Sequence, residues 1–125
     1  MPLSARIFLF LGALSAAASV VLGAAAAHAL SGLPAGAQAW FHTALQYHQF
    51  HAVGLLAAGL IGAHLPASRW ITAAGALMVA GTLLFSGNLY LRSLADFHAL
   101  HVVTPFGGGA FILGWLALAI GVLKK

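Results

Sequence analysis

Four apolar stretches, each about as long as a helix needs to be to cross a lipid bilayer, limit what this chain can fold into. They run from about Leu3 to Ala27, Tyr47 to Leu65, Trp70 to Leu91 and Pro105 to Leu123. A hydrocarbon core of about 30 Å takes about 20 helical residues. It offers backbone amides no partner, so each stretch must satisfy its own N–H and C=O groups. The short connections predict antiparallel neighbours in a compact bundle. The expected fold class is all-α: an integral membrane bundle of four transmembrane helices, residues 1–125 forming one domain. Composition points the same way, with 5% charged residues against roughly 25% in soluble domains.

The breaks fall where backbone chemistry places them. Pro66 and Ser68 separate the second and third spans, with Ser68 as an N-cap. Thr104-Pro105 puts a capping hydroxyl before a proline at the first helical position, and Pro34 opens a further helical stretch. Residues from Arg6 to Ala29 also read like a secretory signal, ending on the small-x-small sequence Ala27-His28-Ala29. The apolar run from Ile7 to Ala27 exceeds the ~7–15 residues of a signal core, so an uncleaved first span is expected.

Between the first two spans, residues 35–46 predict a short interfacial amphipathic helix that continues toward span two. Gln38, His42, Gln46 and Gln49 recur at helical spacing on one side; Ala37, Trp40, Phe41, Ala44 and Leu45 take the other, with Trp40 as an interfacial anchor. Arg6, Arg69, Lys124 and Lys125 fall on one side of the membrane and Arg92 on the other, which predicts cytoplasmic termini. Small residues mark the packing faces: Gly54, Ala58 and Gly62 in span two, Gly107, Gly114 and Gly121 in span four, and Gly12, Ala16, Ser19 and Gly23 in span one. In lipid, helices associate through such close contact, within one chain or between protomers.

Seven histidines stand out in so apolar a chain. His28, His42, His48, His51, His98 and His101 fall at the outer end, with Tyr47, Ser86, Asn88, Tyr90 and Thr104; His64 falls at the inner end. His51 lies about 21 Å along span two from Leu65, below the outer edge of the hydrocarbon and on the face of Gly54, Ala58 and Gly62. An ionisable residue at that depth is a functional-site candidate and needs a hydrogen-bond partner, with Tyr90, Asn88 and His28 in view. The pairs His48/His51 and His98/His101 have the spacing of two imidazole ligands on one helical face, which makes copper or zinc the alternative cofactor.

Other chemistries find little support. Asp96 is the only acid, and its spacing from Arg92 predicts a surface pair rather than a catalytic carboxylate. The chain has no cysteine, which excludes disulfides, thiolate metal sites and thiol nucleophiles. Gly107-Gly108-Gly109 lacks the lysine and strand of a phosphate loop. The net charge of +4 comes from scattered basic residues, so no nucleic-acid surface is expected.

Four segments carry a family resemblance. Gly23-Ala24-Ala25-Ala26-Ala27-His28-Ala29-Leu30 resembles the "GAFGAHGL" segment of the bacterial domain-of-unknown-function 423 family, and the run from Thr43 to Ala52 resembles its "TAxRYQxYHA". Leu84-Phe85-Ser86-Gly87-Asn88-Leu89-Tyr90 is similar to "LFSGSLY", and Thr104-Pro105-Phe106-Gly107-Gly108 to "TPLGG", continuing to Gly114-Trp115. Eukaryotic transmembrane protein 256 looks related. The order holds over essentially the whole chain. The resemblance implies a small multi-pass protein of the bacterial inner (plasma) membrane and supplies no activity. It places His28, Tyr47, His51, Ser86, Gly87, Tyr90, Thr104, Pro105 and Gly107 on motif positions; Gln46 and His48 stand where arginine and glutamine are typical.

The expected function is thus non-enzymatic. A polar cluster of His28, Tyr47, His51, Ser86, Asn88, Tyr90 and Thr104 would bind a lipid headgroup, a small ligand or a partner protein, without a cofactor. The alternative is copper or zinc binding or transport through His48, His51, His98 and His101. Expected partners are the bilayer and a homo-oligomeric or other membrane protein.

Overall fold

The computed structural model describes residues 1–124; Lys125, one of the basic residues used for orientation, lies outside them. The described chain is helical, without strands. Helix α1 spans Leu3–Ala29 and ends in a 3-10 turn, Leu30–Gly32. Helix α2 spans Ala35–His64. Helix α3 covers Arg69–Leu94, and α4 covers Thr104–Leu123 after a 3-10 turn at His101–Val103.

Three of these segments, Leu3–Gly32, Arg69–Leu94 and His101–Leu123, are long and apolar enough to cross a membrane. The expected four equally clear spans are therefore three. Helix α2 has the length, at 30 residues, but Gln38, His42, Gln46, His48, Gln49 and His51 dilute the apolarity of its first half. Residues 35–46 run without a break into the rest of α2, the continuation the sequence predicts, so they form its first turns rather than a separate helix; no proline interrupts the chain between Ala35 and His64. Their amphipathic sides are as the spacing predicts, with Ala37, Phe41 and Ala44 buried and His42, Gln46 and Gln49 exposed.

Helix ends follow local chemistry. Pro34 immediately precedes α2, and the Ser68 hydroxyl accepts a hydrogen bond from the Ile71 N–H at 3.3 Å. Thr104 is not the cap the sequence predicts. Val103 takes that position without a side-chain bond, and Thr104 lies inside the first turn with its hydroxyl turned to Asn88. At the end of α3, Asp96 adopts a left-handed conformation (φ 51°). That turn lets the Phe97 N–H reach the Leu91 carbonyl at 3.2 Å, satisfying a helix-terminal acceptor.

Helix α1 packs along α2, and α3 along α4, while α1 and α3 scarcely touch. The core gathers Phe8, Leu55 and Met78, with Val79 and Trp115 against them. Gly54 and Ala58 of α2 and Gly107, Gly114 and Gly121 of α4 are buried at helix contacts, and Gly62 is half-buried. Large apolar side chains face outward instead of water-loving ones, among them Phe10, Val20, Leu60, Leu83, Phe106 and Ile112. A hydrocarbon solvent accounts for such a surface.

Helix α3 is not uniform. Thr82–Gly87 is π-helical, flanked by α-helical Arg69–Gly81 and Asn88–Leu94. Gly107 of α4 lies directly on this stretch: a Cβ there would sit 2.5 Å from the Phe85 nitrogen and 2.8 Å from the Leu84 carbonyl carbon. Only a residue without a side chain permits that approach. Such wide turns are uncommon and recur at functional sites.

Candidate functional site

The polar residues singled out in the sequence do not form one cluster. They divide into three groups, and His28, exposed on the last turn of α1, joins none of them.

The first group faces the gap between α1 and α3. His48, 6% exposed, places Nδ1 at 2.9 Å from the Tyr90 hydroxyl and Nε2 at 2.9 Å from the Ser15 hydroxyl. Three helices thus meet at one imidazole. Ser86, fully buried on the π-helical stretch, has a hydroxyl with no partner among the described residues. These side chains lie along a groove of about 400 Å³ whose remaining lining is almost wholly apolar, including Leu11, Leu14, Leu22 and Leu83. Ser15 was missed in the sequence. It lies on the side of α1 that carries Gly12, Ala16 and Ser19, and that stripe was the signal that could have found it.

The second group centres on His51, 3% exposed. The Trp115 indole N–H donates to its Nε2 at 2.9 Å, and its Nδ1 lies 2.7 Å from the Tyr47 carbonyl. An indole only donates and a carbonyl only accepts, so His51 is a neutral imidazole protonated on Nδ1. Its ring stacks on Phe111 at 3.5 Å between centroids. The expected partners Tyr90, Asn88 and His28 are corrected: Tyr90 serves His48, Asn88 serves a loop, and Trp115 takes the place assigned to them. Trp115 drew no attention in the sequence beyond its place in the family pattern, because nothing there aligns α4 against α2.

The third group ties the loop after α3. Asn88, buried, donates through Nδ2 to the Leu100 carbonyl at 2.5 Å and to the Thr104 hydroxyl at 3.0 Å. The Ser93 hydroxyl donates to the Ala37 carbonyl at 2.6 Å, fixing the end of α3 to the start of α2.

The expected ion pair of Arg92 with Asp96 is absent. The Arg92 guanidinium stacks 4.4 Å above the Trp40 ring, a cation–π contact. Asp96 instead lies 2.6 Å from His98 Nε2. Trp40 also meets His98 edge to face, which packs its ring against the loop after α3.

For a metal, the donor geometry is unfavourable. His48 and His51 turn to different neighbours. The His101 ring bonds back to the His98 carbonyl at 2.9 Å. Among the described residues no three His, Cys, Asp or Glu side chains group as ligands.

Fold and site together define a small helical integral membrane protein with hydrogen-bonded imidazoles in its interior. The chain belongs to the family described as "Protein of unknown function (DUF423)", which matches residues 22–108. It is 40% identical over 120 residues to the UPF0382 membrane protein YwdK of Bacillus subtilis, covering 95% of this chain and 98% of that one. A UPF0382 membrane protein of Haemophilus influenzae is 40% identical, covering 94% of each chain. The UPF0382 inner membrane protein YgdD of Escherichia coli is 32% identical, covering 98% of this chain and 93% of its own. No solved structure matches.

Proposed function

We propose that the protein is a four-span inner-membrane protein that carries out no reaction of its own and binds a lipid headgroup or small ligand at the polar floor of the α1–α3 groove. The observation that carries this reading is the hydrogen-bonded chain Ser15–His48–Tyr90, with His48 buried between two half-buried hydroxyls, lining an otherwise apolar groove between α1 and α3. Buried polar groups at membrane depth are costly unless paired, and they concentrate where a membrane protein works.

Helix α2 serves as the fourth crossing. Its 30 residues reach about 45 Å, and it turns Ala44, His48, His51 and Ala58 inward while Val53 and Leu60 face lipid. Arg6, Arg69 and Lys124 then lie on the cytoplasmic side and Arg92 outside. The rival reading, copper or zinc on His48, His51, His98 and His101, asks for imidazole rings that each already engage a nitrogen in a hydrogen bond, both nitrogens in the case of His48 and His51.

Extraction and mass analysis of what accompanies the untagged protein tests the ligand reading. A compound bound to the natural chain and missing from Ala18→Phe, which plugs the groove, is the expected result. Identical contents in both proteins would sink it.

A further inference from the structure

The floor of the α1–α3 groove has a surplus of hydrogen-bond donors. A neutral His48 has one ring hydrogen to share between two hydroxyl neighbours. If Nε2–H donates to Ser15, Nδ1 accepts from Tyr90, and the hydroxyl hydrogen of Ser15 is left over. If Nδ1–H donates to Tyr90, Nε2 accepts from Ser15, and the hydroxyl hydrogen of Tyr90 is left over. Either tautomer leaves one hydroxyl hydrogen without an acceptor. Ser86, fully buried and unpartnered on the same groove, adds a second. No charged side chain lines the groove, so a charged headgroup would enter it desolvated and without a counter-charge. The volume of about 400 Å³ lies in the range of small-molecule sites.

We propose that the groove binds an uncharged lipid through a carbonyl oxygen, which accepts from Ser86 and from the Ser15–His48–Tyr90 chain while the apolar tail lies along α1 and α3. A quinone ketone and a glyceride ester share this chemistry. The inference rests on the ligand reading above and names the ligand's class.

The test uses the full chain in detergent micelles, with decylubiquinone and dioctanoylglycerol as probes, tetradecane as a tail without a head, and dimyristoylphosphatidylglycerol as a charged lipid. Retention is read by native mass spectrometry. The natural chain is expected to retain one carbonyl probe, which tells quinone from glyceride. Ser86→Ala/Tyr90→Phe should weaken that retention about tenfold, the loss of one or two net hydrogen bonds, while Gln49→Ala on the exposed side leaves it unchanged. Ser86→Ala alone removes only an unpaired hydroxyl and keeps the test open if the double variant fails to fold. Retention that ignores Ser86→Ala, or tetradecane held as well as the carbonyl probes, overturns the carbonyl inference and leaves the groove as a ligand site. So does preference for the charged lipid. If no probe or co-purifying compound is held, the inference and the ligand reading both fall.

Discussion

His48 and His51 lie one helical turn apart on α2 and share no partner: His48 bonds to Ser15 and Tyr90, and His51 to Trp115. Three residues along a helix turn the side chain through about 300°, so the two rings diverge by about 60° and meet different neighbours. One imidazole joins α2 to α1 and α3, the other joins α2 to α4. Several measurable properties rest on that arrangement and on the packing around it.

Trp115→Phe keeps the aromatic bulk and removes the donor to His51. Inter-helix hydrogen bonds in membrane proteins average about 0.6 kcal/mol and reach about 1.7. The lower figures apply because the unfolded chain in lipid also finds partners. A double-mutant cycle with His51→Leu, read by thermal unfolding in detergent, should return a coupling of about 0.6–1.7 kcal/mol. Strict additivity of the two changes would remove the bond from the account.

Gly107→Ala forces a methyl group onto the backbone of the π-helical stretch, at 2.5 Å from the Phe85 nitrogen. A backbone cannot swing aside as a side chain can. Destabilisation of about 1–3 kcal/mol, the usual range for overpacking, is expected. Gly109→Ala meets nothing within 4 Å and should leave the melting temperature unchanged or slightly raised. Equal melting of the two variants would contradict the close contact of α4 with α3.

Metal content provides a third check. The His51 ring spends its Nδ1–H on a carbonyl and its Nε2 lone pair on Trp115, so coordination there requires breaking the Trp115 bond. Protein purified without an affinity tag should hold far less than one copper or zinc per chain. Stoichiometric metal that disappears in His48→Ala/His51→Ala would restore the metal reading.

Membrane topology provides a fourth. A cysteine introduced at Gln38 should react with an impermeant maleimide from outside intact cells, and one at Ala67 should react only after permeabilisation. The reverse pattern would invert the orientation, and labelling of both from one side would remove α2 as a crossing.

Much of the helical frame was legible because hydrocarbon length and proline or serine breaks are local signals. Pro34 and Ser68 lie at helix starts where the sequence places them. Thr104 was misread because a side chain that can cap can also reach across a loop, here to Asn88. The site was harder to read. Periodicity places Ser15 and His48 each on a face, but the pairing of those faces depends on how α1 and α2 rotate against each other, which local signals do not contain. The same gap hid Trp115 and led to Tyr90 as the partner of His51. The π-helical turn left no mark on the sequence, since Thr82-Leu83-Leu84-Phe85 is ordinary helix material.

That turn has an implication for the phase of α3. A π-helical turn behaves as an α-helix that has taken in one additional residue without rotating the turns beyond it. Removing a single position between Thr82 and Gly87 would return the segment to a regular winding while Asn88, Tyr90 and Ser93 keep their headings. The same deletion between Ala74 and Met78 would swing everything from Thr82 to Leu94 through roughly 100° and detach Tyr90 from His48. Chain length here is therefore tolerant at one short interval of α3 and intolerant on the Arg69 side of it.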